Sequence, residues 1–548
     1  MAWPNLGLAH RPVAMGRRGM VASASAVSSL AGLRILQQGG NAVDAAVATA
    51  AALSAGEPHM SGIAGVGYMV IHTVKDGRTR VLDYTGRAAN SATPAAFASD
   101  QEKDRGVKSP MTPGACAGWF TALETYGTMP AADVFAPALE HFEGGTPVTL
   151  HHEYIWQMAQ GYIALNQPTI DTFYPGGRVP KPGALVRQPN LARTLRELIA
   201  DGWQSFYRGD IARRAAAALQ AEGGLLTEAD FAAYAPVWRE PISIDYRGAY
   251  TIACPPPPCA GIQYLEAFRL LEDDDLAAMG QASPATIHLM AEAFKIANAD
   301  RVAWAAREDI PTAALLSREY ARARRAEIAP DRLLQGYGDR FTGTPPAGAV
   351  AAGEAGMLAR AIKEATSHFS VVDAEGNAVS ATQSLGAPFG SGVTAGDTGL
   401  VFNNFHAWFD RDPASPNAVA PGRAIEMCLS PAMLFREGRF FMAIGTPGST
   451  GIMQTTPQFI SNVIDHGFSI QAAIEAPRFR VYEGTTLEME ARFAKETRDQ
   501  LERIGHHIRL VDDRSLLMGG AQGIMTDPET GVLLGGADFR RDGAAIGW

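Results

Sequence analysis

The chain has 548 residues, 47% of them hydrophobic and 19% charged, and a formal net charge of -10. This is the composition of a soluble globular protein and excludes disordered, collagenous and disulfide-scaffold classes. The acidic balance argues against nucleic acid and anionic membranes as partners, since both attract basic surfaces.

In chain order, the opening MAWPNLGLAHRPVAMGRRG lacks the apolar core of a signal peptide. No stretch approaches about 18 uninterrupted apolar residues. Both observations predict a cytoplasmic protein without a membrane span, with the periplasm as the weaker alternative. Ala26 to Ala55 reads as alanine-rich helices broken at Gly39-Gly40, a pair that suits one helix end and the next start. Gly62 to Gly67, GIAGVG, does not satisfy GxGxxG, and neither a Walker motif nor a GxSxG elbow occurs. A dehydrogenase, a P-loop enzyme and an α/β-hydrolase are therefore poorly supported.

Cys116, Cys254, Cys259 and Cys428 are scattered without a CxxC pair and read as buried thiols. His151-His152 and His506-His507 show no metal-ligand spacing and are expected on solvated faces, so neither a metal nor a cofactor is predicted. Pro284 to Arg307 has helical apolar spacing through Ile287, Met290, Ala291, Phe294 and Ala297. Residues 341–356, FTGTPPAGAVAAGEAG, read as a linker rich in Gly, Pro and Ala.

The next segment carries the chemistry. FSVVD and AVSATQ alternate as two strands around the turn Asp373 to Asn377. Pairing symmetric about Glu375 sets Thr366 opposite Ser384, His368 opposite Thr382 and Ser370 opposite Ser380. One face then carries hydroxyls and an imidazole, while Phe369, Val371, Val379 and Ala381 face a core. The polar face is expected to be left open for chemistry. A threonine hydroxyl becomes a strong nucleophile when its own α-amine serves as base, which requires Thr366 to be an N-terminus. Cleavage between Ala365 and Thr366, by attack of the hydroxyl on the preceding carbonyl, would supply that amine, and the linker would let the new chain end withdraw. His368 lies two residues along the strand and is expected to hydrogen-bond rather than react.

The chain resembles the γ-glutamyltranspeptidase family of N-terminal-nucleophile hydrolases from about Gly19 to Trp548. The resemblance rests on Gly39-Gly40-Asn41-Ala42-Val43-Asp44-Ala45-Ala46, Pro113-Gly114, Tyr126-Gly127-Thr128, Pro255 to Pro258 and Ala299-Asp300-Arg301. Phe389-Gly390-Ser391-Gly392, Asn403-Asn404, Thr446-Pro447-Gly448 and Gly535 to Gly543 follow in the family's order. It implies an α+β fold, a four-layer αββα sandwich of the Ntn-hydrolase type built from two fragments of one self-cleaved precursor. Those fragments would be residues 1–365 and 366–548, intertwined in one domain, with a dimer of such heterodimers left open.

The resemblance makes Thr366 the nucleophile and puts Ser384 where the family has a neighbouring threonine. Gly448 and Ser449 fall where two glycines usually offer backbone N–H groups to the oxyanion, and Asn404 is expected to shape the pocket. The residues that read a γ-glutamyl head are replaced: the arginine by Thr85, the serine pair by Met427 and Cys428, the acid by Trp408, the glutamine by Phe405 and the hairpin asparagine by Gly386. A carboxylate clamp and an ammonium partner are each worth about 1.5–3 kcal/mol, so an uncharged or aromatic acyl group is favoured on a small-molecule amide. Phe405, Trp408 and Met427 would wall that acyl site, or else simply fill a closed pocket. NNFHAWFDRDPASPN resembles the acylase-like branch of the family. The alternative is a γ-glutamyltransferase with an atypical clamp using Arg87, and a non-catalytic relative is the third possibility.

Overall fold

The expected hairpin forms from Ala365–Asp373 and Ala378–Gly386 in the computed structural model, which describes residues 9–163, 166–304, 310–334 and 365–548 apart from 416, 484 and 514. The linker read at 341–356 lies outside the described residues. The Asp373 carboxylate organises the turn: Oδ1 accepts the N–H groups of Glu375 and Asn377 at 3.0 and 2.9 Å. Oδ2 accepts the Ala42 N–H at 2.9 Å, which joins the turn to the start of a helix.

The hairpin is central in a seven-stranded sheet. From edge to edge its order is Ala544–Gly547, Gly19–Ser23, Ala365–Asp373, Ala378–Gly386, Val66–Thr73, Arg78–Tyr84 and Val237–Arg239. A second seven-stranded sheet runs Ala14–Gly16, Leu533–Ala537, Gln522–Thr526, Arg439–Gly445, Ala432–Arg436, Tyr250–Cys254 and Ile242–Tyr246. The sheets pack face to face. Helices Ala26–Gln37, Ala42–Gly56 and Ala115–Tyr126 cover the first, and Ile262–Leu271, Ile452–Ile464 and Ile470–Glu475 cover the second. This is the αββα sandwich. Each sheet takes strands from both sides of position 366, so the two stretches interleave rather than form separate bodies.

Ala42–Gly56 is buried along its whole length, which its alanines permit because small side chains let neighbouring elements approach on every side. Its start is closed by a capping box: Asn41 Oδ1 accepts the N–H groups of Val43 and Asp44, and Asp44 accepts that of Asn41. Such a cap is worth about 1 kcal/mol. Pro284–Trp304 forms the helix that its apolar spacing predicts. The four cysteines are buried and unpaired. Among the described residues no helix is long and apolar enough to cross a membrane.

Three expectations are corrected. His368 pairs with Thr382 and Ser370 with Ser380, but the register shifts between Ala365 and Ser367. Ser384 and Leu385 together stand opposite Thr366, a bulge of the kind that re-aims a side chain. Secondly, the polar face of the hairpin is not open. Every residue of both strands is buried, because the second sheet covers that face. The polar groups satisfy one another instead, with His368 Nδ1 2.9 Å from Thr382 Oγ1 and Nε2 3.1 Å from Ser370 Oγ. Thirdly, His152 and His506 are buried, not solvated. His152 Nε2 lies 2.7 Å from the Gly56 carbonyl and His506 Nε2 2.9 Å from His288 Nδ1.

Candidate active site

Thr366 is 3% exposed. Its Oγ1 lies 2.6 Å from the oxygen of the preceding Ala365 carbonyl and 3.2 Å from Ser384 Oγ. Ser384 Oγ donates a short hydrogen bond to the same Ala365 oxygen and accepts the Gly386 N–H at 2.8 Å. The bulge produces this convergence, because it swings Ser384 out of a simple cross-strand pair and under the Ala365–Thr366 peptide. Two hydroxyls thus meet one carbonyl oxygen, so Ser384 can polarise the carbonyl that Thr366 also touches.

Strand Arg439–Gly445, which a turn at residues 446–448 follows, packs across the sandwich on the polar face of the hairpin. Ser370 Oγ donates to the Ala443 carbonyl at 3.3 Å, and Gly445 packs so tightly on His368 that a Cβ there would lie 2.4 Å from Nδ1. Thr446 fixes that turn by accepting the Gly520 N–H at 3.0 Å and donating to the Pro447 carbonyl at 2.8 Å. The N–H groups of Gly448 and Ser449 have no hydrogen-bond partner among the described residues. Ser449 sits at φ +53°, a left-handed conformation that costs a side-chain-bearing residue about 1–2 kcal/mol. The backbone therefore keeps the glycine-type geometry although glycine is gone.

The residues expected around the acyl group fall into three places. Gly386, at φ +100°, is required where it stands, since a Cβ would lie 2.1 Å from Asn404 Oδ1. Asn404 is fixed by the Ala387 N–H, at 3.0 Å, and by its own donation to the Asp104 carbonyl at 2.8 Å. It thus occupies the space that the family's hairpin asparagine would need. Phe405 and Met427 are buried in the core beneath the hairpin sheet, whereas Cys428 belongs to the core on the second sheet. Only Trp408, half-buried and with its ring 6.2 Å from that of Phe405, keeps an open edge.

Thr85 and Arg87 stand on one loop. Their loop follows strand Arg78–Tyr84, which is three strand spacings, about 14 Å, from the strand of Thr366. Thr85 donates to Asp83 Oδ1 through its hydroxyl at 2.6 Å, and Asp83 is paired with Arg239 at 2.8 Å. The Arg87 guanidinium folds back on its own loop, donating to the Gly86 carbonyl at 3.0 Å and to Thr85 Oγ1 at 3.3 Å.

One neighbour of Thr366 is missed by the sequence reading. Ser367 Oγ donates to Glu57 Oε2 at 2.5 Å. Glu57 ends the buried helix Ala42–Gly56, and burial raises its carboxyl to about 7 against the opposing pull of the Arg541 guanidinium and the Ser367 hydrogen bond. The available signal was a carboxylate placed directly after a long alanine-rich helix that reads as buried.

The family model described as Gamma-glutamyltranspeptidase matches residues 28–548. The Acylase ACY 1 proenzyme of Pseudomonas sp. (strain V22) is 35% identical, with 97% of this chain and 94% of the relative covered. The Glutathione hydrolase proenzyme of Escherichia coli (strain K12) is 34% identical, with 96% and 90% covered. Among solved structures, cephalosporin acylase from Bacillus halodurans superposes with a TM-score of 0.89 at 34% identity, covering 98% of this chain and 97% of that one. Shared order, fold and near end-to-end identity above 30% lead to one conclusion: the chain belongs to the γ-glutamyltranspeptidase family.

Proposed function

We propose that the chain is a precursor that cuts itself between Ala365 and Thr366, and that the new N-terminal threonine makes it an amide hydrolase or acyltransferase. The convergence of the Thr366 and Ser384 hydroxyls on the Ala365 carbonyl carries this reading. In the first stage Thr366 Oγ1 adds to the Ala365 carbonyl carbon while Ser384 donates to the growing oxyanion. The C–N bond breaks, the nitrogen takes the hydroxyl proton, and water hydrolyses the resulting ester to an Ala365 carboxylate. Fragments 1–365 and 366–548 then stay together because their strands interleave.

In the second stage the freed α-amine, with an ordinary pKa of roughly 8, accepts the Thr366 hydroxyl proton as Oγ1 attacks the substrate carbonyl. The N–H groups of Gly448 and Ser449 hold the oxyanion, and each such donor is worth about 10²–10³ in rate. The proton passes to the leaving amine, and water or a second amine resolves the acyl ester. The substrate is a small amide whose acyl part is not γ-glutamyl. Phe405, Trp408, Met427, Cys428, Thr85 and Gly386 offer neither a guanidinium nor an acid to an amino-acid head, and an acylase is among the relatives. The four unpaired buried thiols support a cytoplasmic location.

A γ-glutamyltransferase remains the second reading because a glutathione hydrolase is about as similar as the acylase. It requires Arg87 to leave the carbonyl and hydroxyl oxygens of its own loop. Turnover of uncharged acyl amides beside γ-glutamyl amides of the same leaving amine decides between them: preference for the first supports an acylase, and preference for the second overturns it.

A further inference from the structure

Glu57, His59 and His151 each offer one ligand atom to a common point, with these atoms all within 4.8 Å of one another. Glu57 and His59 are buried, at 1% and 0% exposure, and His151 is half-buried. Glu57 Oε1, both ring nitrogens of His59 and Nε2 of His151 have no hydrogen-bond partner among the described residues. Buried polar atoms are almost always paired, and one left unpaired is destabilising. Three residues that each carry such an atom and offer one ligand to a common point are what an unfilled ligand set leaves behind.

A second cluster gives the contrast. His288, Glu292 and His506 are just as close together, yet they are satisfied within the protein. His288 bonds His506 and the Ala329 carbonyl, and Glu292 accepts from Lys295 Nζ and the Leu334 N–H. That cluster is structural. Around the first, His152 is already committed to the Gly56 carbonyl, so it anchors its neighbour rather than serving as a ligand. The guanidinium of Arg541 acts on all three side chains, and the carboxylate of Asp542 opposes it at Glu57.

We propose that Glu57, His59 and His151 form a binding site for a divalent cation of the zinc class, beside the nucleophile strand but outside the acyl-transfer chemistry. Two imidazoles and one carboxylate suit zinc, with metal–ligand bonds of about 2.0–2.2 Å and a fourth position for water. Closing from the observed spacing needs shifts of about 1 Å per side chain. All three ligands precede Thr366, while Glu57 also accepts the Ser367 hydroxyl. A bound ion therefore fastens the end of helix Ala42–Gly56 and the start of helix Leu150–Ile163 to the first residues of the nucleophile strand.

The test is calorimetric titration of zinc chloride into the chelator-stripped full-length chain, with metal content read by elemental mass spectrometry. The expected result is one tight equivalent per chain, weakened at least tenfold by His151→Gln and by His59→Gln and unchanged by His507→Gln on the exposed strand. Cobalt(II) in place of zinc should give the visible bands of a four-coordinate nitrogen and oxygen site without thiolate charge transfer. His151→Gln alters a half-buried position, and its near-ultraviolet circular dichroism verifies that it folds. Absence of saturable binding, or undiminished binding in folded His151→Gln, overturns the proposal.

Discussion

At the scale of single residues, the site is defined by which oxygen each hydroxyl touches. Thr366→Ala removes the attacking oxygen, so the purified protein should remain one unbroken chain without turnover, as read by gel and activity assay. Ser384→Ala leaves the nucleophile but removes a donor to the Ala365 carbonyl. Self-cleavage should slow by about 10²–10³, and a time course of fragment appearance measures it. Wild-type cleavage rates in Ser384→Ala would show that this hydroxyl does not share the charge. His368 has another part to play. Burial pushes its imidazole from an ordinary 6.5 down to about 3, so the folded protein holds it neutral. Below pH 6.5 the unfolded chain binds the proton that the folded one refuses. This contribution to stability is complete above pH 6.5 and is lost progressively as pH falls toward 3. His406, lowered to about 4 by burial, acts in the same direction. Urea melts at pH 7 and pH 4 should therefore show a smaller loss of stability in His368→Gln than in wild type.

At the scale of the element, the hairpin shows what alternation can and cannot reveal. The pairing of His368 with Thr382 and Ser370 with Ser380 was legible because side chains on one face recur every two residues. The bulge at Thr366 was not, since one extra residue leaves the alternation on either side intact. Nor was the covering of the polar face. A strand buried on both sides normally reads as continuously apolar, but here hydroxyls and an imidazole satisfy one another across the inter-sheet layer. Gly386 makes a prediction at this scale. A side chain there meets Asn404 Oδ1 and must adopt φ +100°, so Gly386→Asn should destabilise the protein by about 1–3 kcal/mol in denaturant unfolding. A fully stable variant would mean that Asn404 can move aside to make room for the family's asparagine.

At the scale of the whole molecule, the stretches before and after position 366 interleave in both sheets. The order of motifs along the chain made the sandwich legible, through the family resemblance those motifs carry. The meeting of Glu57, His59 and His151 was not, because His151 comes from the separate helix Leu150–Ile163. Distance along the chain likewise concealed that Met427 and Cys428 enter different cores and that Arg87 is held by its own loop. The open edge of Trp408 makes it the position from which substrate choice is best altered. Trp408→Asp should raise the rate on γ-glutamyl amides relative to uncharged acyl amides, and an unchanged ratio would remove Trp408 from the acyl site. The central claim is that one chain becomes two by its own threonine, and intact mass with N-terminal sequencing of the purified protein tests it most directly. Two fragments, the smaller beginning Thr-Ser-His-Phe, are the predicted result; a single unbroken chain in catalytically active protein would contradict it.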